Sequence, residues 1–309
     1  MDKPAGTLTL RWGGPDGPTR SRLDLSELAR RVATLDGKPD DDGVASCSAI
    51  SFVESVRTLD GEPDDPRATD DPDADLTHFI TVLGRATDSG TGPDVHALPC
   101  VSAASADAIV ESCRLLARLT GAVPEIVTGP LRLDSQYWVG TENPSGRPKG
   151  ELAPSESHFI GVSDAAVIKA STKPFHLGLF TTTGALGRKG MWRMYLDRCP
   201  SSTLFPQPWH TWIVDPNPDA VVREIASASQ WVEFVLSHPQ RERGLLFPDW
   251  RSVARRYDAV HMTLRAIAAI QGLYFTTAEG IVAASCWDLE STLWLRWCFD
   301  SVRLVDVVR

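Results

Sequence analysis

Asp288 and Glu290 stand two residues apart in Cys286-Trp287-Asp288-Leu289-Glu290-Ser291-Thr292-Leu293-Trp294-Leu295-Arg296-Trp297, a run that is otherwise apolar and aromatic. If the run is a strand, its period of two puts both carboxylates on one face with Cys286 and Thr292, and Trp287, Leu289, Leu293 and Leu295 on the other. An acid pair among Trp and Leu loses hydration and stays ionised only in a solvated cleft or beside a cation. Carboxylates roughly 6–7 Å apart at the backbone leave two-carboxylate work on a glycosidic bond open. The same spacing also fits an edge strand whose acids face water.

Other elements must hold that pair. In the C-terminal half, residues 158–163 read as a strand with a helix behind it over 164–170. Phe175 to Phe180 reads as a strand that ends in three hydroxyls, Thr181, Thr182 and Thr183, followed by Gly184. Met191 to Leu196 is a short helix or strand, 211–216 a strand, 229–236 an amphipathic helix, 249–254 a helix and 257–262 a buried strand. Leu273 to Thr276 leads into the acid-bearing run. Strands outnumber helices and are unevenly spaced, which fits α+β with two small sheets packed face to face better than regular βαβ winding.

The N-terminal half reads as a small acidic α+β unit. Thr7 to Trp12 alternates as a strand, Gly13 to Pro18 is a turn, and Arg22 to Leu25 can pair back as a hairpin. Ser26 can cap a helix to Leu35, and Ser105 one to Leu119 that stops at Gly121. Residues 36–43 and 59–75 read as acidic, proline-bearing loops, 78–85 and 94–101 as strands, and 123–133 as a closing strand broken at Gly129-Pro130. Only Trp12 and Trp138 precede residue 150, and the other eight tryptophans follow it. With the turn-rich stretch 141–150, this predicts domains of residues 1–145 and 146–309. The N-terminal unit shows no catalytic constellation and no glycine-rich phosphate loop.

Composition narrows the classes. The chain has 309 residues and a net charge of −9, and residues 1–75 carry 9 Lys and Arg against 17 Asp and Glu, a balance of −8. That charge argues against nonspecific nucleic-acid binding. No apolar run reaches membrane-spanning length and the first residues lack an apolar signal core, which predicts no membrane association and a cytoplasmic location. The six cysteines form no CxxC pair, as in a reducing compartment.

From His158 to Arg303 the order of parts resembles the mono-ADP-ribosyltransferases. That family has a first strand bearing Arg or His, a second strand ending in a hydroxyl triplet with a helix after it, and a late strand carrying the catalytic acid. Leu179-Phe180-Thr181-Thr182-Thr183 is similar to the triplet strand, Lys189 to Leu196 to its helix, and Asp288-Leu289-Glu290 to the acid motif, with Asp in the first acid's place. The resemblance implies an ADP-ribosyltransferase-like domain that consumes NAD, as transferase or glycohydrolase. Its acceptor (protein, nucleic acid or small molecule) is open, as is service as a toxin or as a tailoring enzyme. Glu290 would stabilise oxocarbenium-like charge on the ribose, and Asp288 would orient or deprotonate the nucleophile. His158, Thr181, Thr182, Thr183, Trp192 and Arg193 are the implied NAD-binding residues. The family's basic residue precedes a glycine; here Ile160 precedes Gly161, His158 is the nearest base, and His176 is its rival.

Three other readings stay open. The scaffold could bind a nucleotide or protein without chemistry. Another glycosyl- or nucleoside-processing enzyme could use the acid pair. A metal hydrolase could draw on His210, Asp215, Asp258 and His261, though no HxH or HxxxH spacing supports it and no metal is expected. A transferase needs Glu290 at the floor of a cleft with the threonines and one basic side chain; a binding module would have the acid bonded away.

Overall fold

The structure is a computed structural model and describes residues 7–12, 19–24, 71–87, 115–116, 118–141, 153–174, 177–198, 205–270, 274–277, 279–283, 287 and 289–309. In chain order its elements begin with β1 (Thr7–Trp12), β2 (Thr19–Asp24), α1 (Pro72–Thr87), α2 (Pro124–Val127), β3 (Gln136–Thr141), β4 (Leu179–Thr183), α3 (Met191–Arg198), β5 (Trp209–Pro216) and β6 (Val222–Ile225). They continue with α4 (Ala228–Ser237), β7 (Pro239–Glu242), β8 (Leu245–Pro248), α5 (Trp250–Arg256), β9 (Ala259–Met262), α6 (Leu264–Ile270), β10 (Tyr274–Thr276), β11 (Ile281–Ala283), β12 (Ser291–Trp294) and β13 (Phe299–Val308). The fold is mixed α+β. Among the described residues no helix is long and apolar enough to cross a membrane.

The chain divides into two compact units. One comprises residues 1–122, 227–248 and 265–288; the other comprises 123–226, 249–264 and 289–309. This differs from a single cut near residue 145, because β3 pairs with β4 and β5 and so belongs with the C-terminal strands.

In the first unit β1 and β2 form the expected antiparallel hairpin, Thr7 opposite Asp24 and Trp12 opposite Thr19. Residues 78–85 are helical, in α1, where a strand is expected. The Asp71 carboxylate accepts the Ala74 N–H at 3.0 Å, Pro72 opens the helix, and Asp73 and Asp75 lie in its first turn. Each favours a helix start. Leu76 and Phe79, three apart on one face, are fully buried. Arg118 forks onto Asp75 with two bonds of 2.9 Å. Residues 115–116 and 118–120 are helical, with Gly121 in the turn that follows. The expected helix over 26–35 and strand over 94–101 lie outside the described residues. Strands β10, β11, β8 and β7 make a four-stranded sheet under α4. The α4 helix is capped by Ser227 and buries Trp231, whose indole N–H donates to the Ala283 carbonyl at 3.0 Å.

In the second unit the strands run β13-β5-β3-β4-β12-β9-β6, one order of seven hydrogen-bonded neighbours where two sheets face to face are expected. Its halves meet at β4. Thr182 and Thr183 pair with Tyr137 and Gln136 of β3, while Leu179 to Thr181 pair with Trp294 to Thr292 of β12. Because side chains alternate along each strand, registers place Val302, Val214, Trp138, Leu179, Trp294, Ala259 and Val222 on one face, where they form an apolar cluster with Phe299. Helix α3 covers the opposite face through Leu196 against Val139 and Trp209.

Several expected elements differ. Residues 123–133 form α2 and a turn rather than a strand. Residues 156–158 form a 3-10 turn and 159–163 no strand: Ile160 is exposed, and besides local turn bonds the stretch makes the isolated backbone bonds Gly178 N–H to Ile160 O and Val162 N–H to Leu295 O instead of a ladder. Residues 164–170 are not helical, and the Arg251 guanidinium donates to the Ala165 and Ala166 carbonyls that a helix would use. The acid-bearing strand is shorter than expected, since β12 starts at Ser291 and Glu290 immediately precedes it.

Candidate functional site

A polar stripe crosses the same sheet face as the apolar cluster, within the second unit. Strand register alone dictates its membership. Gln136 lies opposite Thr183, Thr181 opposite Thr292, Thr292 opposite His261 and His261 opposite Glu224. Glu290, two residues before Thr292, extends the stripe. Gln136, Thr181, Thr183, His261, Glu290 and Thr292 all have zero exposure.

Such groups must be hydrogen-bonded to be tolerated in the interior, and here the bonds run in one direction. The Trp294 indole N–H donates to Thr181 Oγ1 at 2.8 Å, and Thr181 donates to Gln136 Oε1 at 2.6 Å. The Gln136 amide nitrogen donates to Thr183 Oγ1 at 2.9 Å and to the Arg132 carbonyl at 3.0 Å. Thr183 then donates to Glu290 Oε1 at 2.8 Å, and its backbone N–H reaches Oε2 at 3.0 Å. Each hydroxyl accepts one bond and passes one on, so the chain polarises toward the carboxylate.

The other side of Glu290 meets a histidine. His261 Nε2 is 3.0 Å from Glu290 Oε1, and its Nδ1 is 3.1 Å from Glu224 Oε2. Burial disfavours the charged imidazole, yet the hydrogen bonds and charges of Glu224 and Glu290 outweigh it, and the ring is pushed up to about 9. Burial also raises the Glu224 carboxyl, but the His261 bond and charge and the Leu131 N–H pull it below its ordinary value. That N–H lies 2.7 Å from Oε2. Gly129 makes the contact sterically feasible: its φ is +81°, and a Cβ there would sit 2.5 Å from Glu224 Oε1.

Two acceptor positions are left over. Among the described residues, Glu290 Oε2 accepts only the Thr183 N–H. Among the same residues, Thr292 Oγ1 is buried without a hydrogen-bond partner.

The structure therefore brings Glu290, Thr181 and Thr183 together. It places Thr182 on the opposite face, where Gly190 packs against it (φ +84°, with room for no Cβ beside Thr182) and the Trp192 N–H reaches its hydroxyl at 3.4 Å. Trp192 stacks on Tyr195 and meets Phe205 edge-on, in the apolar cluster beneath α3. Arg193 is held by Asp306 at 2.8 Å, Asp197 at 3.0 Å and Thr211 at 3.0 Å, with its guanidinium over Trp209. Asp306, bound also by Lys189 at 2.9 Å, is drawn well below the ordinary carboxylate value by these two cations. Both α3 residues thus have structural partners on the face away from Glu290. His158 is exposed in its 3-10 turn, 2.9 Å from Ser155 Oγ. Asp288 and the rival His176 lie outside the described residues.

Gln136, His261 and Glu224 are the members that sequence reasoning missed as a set. His261 stood out only as a possible metal ligand, and nothing local links it to Glu290, 29 residues away. Of the other residues weighed for a metal, Asp258 accepts the Val221 N–H and an Arg296 contact at 3.1 Å. Among the described residues no group of three or more His, Cys, Asp and Glu is placed to hold a metal ion. Comparisons with protein-family models, curated proteins and solved structures find no match for this chain.

Proposed function

We propose that the second unit is an ADP-ribosyltransferase-like domain that consumes NAD, as transferase or glycohydrolase, with Glu290 as its acid. The observation that carries this is the contact between Glu290 and Thr183, the last residue of the hydroxyl triplet, through both hydroxyl and backbone N–H. The triplet strand and the strand after the acid are hydrogen-bonded neighbours, which supports this reading. In the reaction, the bond between ribose C1′ and nicotinamide breaks and its electron pair leaves with nicotinamide. Positive charge grows on the ribose, and an acceptor nucleophile or water adds to C1′. Glu290 Oε2, with its spare acceptor position, is the oxygen that would face that charge. The Trp294-Thr181-Gln136-Thr183 chain holds the carboxylate in place and cuts its reorganisation during the reaction.

One observation favours a second reading. Glu290 has zero exposure and His261 is bonded to it, as in a scaffold that keeps its architecture and binds a nucleotide or protein without chemistry. Catalysis demands that ribose displace whatever covers Oε2. Nicotinamide release from NAD by the full chain separates the two: release supports the transferase or glycohydrolase, and NAD binding without release supports the binding module. Neither binding nor release would remove the NAD reading altogether.

A further inference from the structure

The proposed chemistry leaves two buried or half-buried titratable groups without a task, His261 and Glu224. An imidazole with a carboxylate oxygen within hydrogen-bond distance of each nitrogen, at 3.1 and 3.0 Å, satisfies both only as a double donor. The alternative is a proton on one of the carboxyls. We infer that Glu224 is a positioning residue for Glu290, acting through His261: it orients the ring, keeps Nε2 a donor, and so holds the Glu290 carboxylate in place.

Three features of the fold equip Glu224 for this. Parallel pairing of β6 with β9 sets Glu224 directly opposite His261, on the same face. The Gly129–Leu131 loop clamps the carboxylate, by the close approach at Gly129 and the 2.7 Å bond from Leu131. The Glu224 side chain is 32 % exposed, whereas those of His261 and Glu290 are at 0 %. Glu224 is therefore the end of the triad that meets solvent, and the route by which a proton reaches the buried ring. Among the described residues, the charged groups that reach His261 are Glu224 from β6 and Glu290 ahead of β12; Thr292, its neighbour in register on β12, is neutral.

This deepens the Glu290 reading and is tested apart from it. Ring-nitrogen NMR of His261 in the ¹⁵N-labelled full chain, followed from pH 6 to 10, is compared for wild type, Glu224→Gln and Glu224→Asp. Nicotinamide release is read on the same samples. The wild-type ring is expected to carry both protons at neutral pH. Glu224→Gln should lower its proton affinity at least tenfold, and Glu224→Asp should recover part of that loss. Any release should follow the same shift in pH profile. A Glu224→Gln ring that titrates as in wild type overturns the inference, as does a wild-type ring with a single proton at neutral pH. If Glu224→Gln does not fold, a Glu224→Asp ring that titrates unchanged at a conserved pH profile overturns it equally. The expected titrations with no nicotinamide released would support the positioning role and count against the NAD reading, so the two fail separately.

Discussion

Raising the pH from 6.5 to 9 should destabilise the second unit, and the cause lies in one buried ring. His261 has an ordinary value of 6.5 in the unfolded chain and about 9 when folded. A group raised by folding contributes stability that is fully present below its unfolded value and is lost as pH climbs through its folded value. The window is therefore about 6.5 to 9. The gap between the two values corresponds to about 3 kcal/mol at 1.36 kcal/mol per pH unit. Urea unfolding of wild type against His261→Gln, at fixed ionic strength in half-unit pH steps, isolates the effect. The stability difference should shrink by about that amount across the window. Cys298, whose thiol burial and then Asp258 push up to about 12, adds a loss above its ordinary 9.0, so the series stops at pH 9. A difference that stays flat, or that grows with pH, would refute the doubly protonated ring. On the acid side, Glu224 has the opposite sign. Its folded value is lowered, so its contribution is present above the ordinary 4.5 and disappears as pH falls.

Two further substitutions probe the same framework. Gly129→Ala forces a left-handed backbone on alanine and drives its Cβ into the Glu224 carboxylate; thermal or urea unfolding should show a loss of about 2 kcal/mol, and His261 should lose proton affinity with it. Thr292→Val removes a buried hydroxyl that has no partner, so unfolding stability should be unchanged or higher by up to about 1 kcal/mol, whereas NAD affinity should fall if the ribose uses that position.

Local signals in the sequence located much of the fold. Asp249 caps α5 through the Arg251 and Ser252 N–H groups, Ser227 caps α4, and β1 and β2 pair on either side of a Gly- and Pro-rich segment of the sequence. The threonine triplet, which stands out in the sequence, lies on β4 and pairs with the strand that follows Glu290. The misreadings share a cause. Residues 78–85 are apolar and short, and the Asp71 cap that makes them helical lies upstream in a stretch that reads as a loop. His158 opens a strand-like run that forms no ladder among the described residues. The remaining site members were hidden because they depend on register between distant strands. Gln136 reaches Thr183 across 47 residues and His261 reaches Glu224 across 37. Neither separation has a local pattern, since a strand's period says which face a side chain takes but not which strand lies beside it.

The role proposed for Glu290 turns on nicotinamide release from NAD by wild type against Glu290→Gln. The glutamine keeps the volume of the buried side chain and one acceptor oxygen while removing the charge, and its amide nitrogen then faces a Thr183 or His261 donor, so the fold is checked by unfolding on the same sample. Wild type should release nicotinamide, and a folded Glu290→Gln chain should lose that release by at least a hundredfold. Release that survives the substitution, or NAD left intact by wild type, would contradict that role.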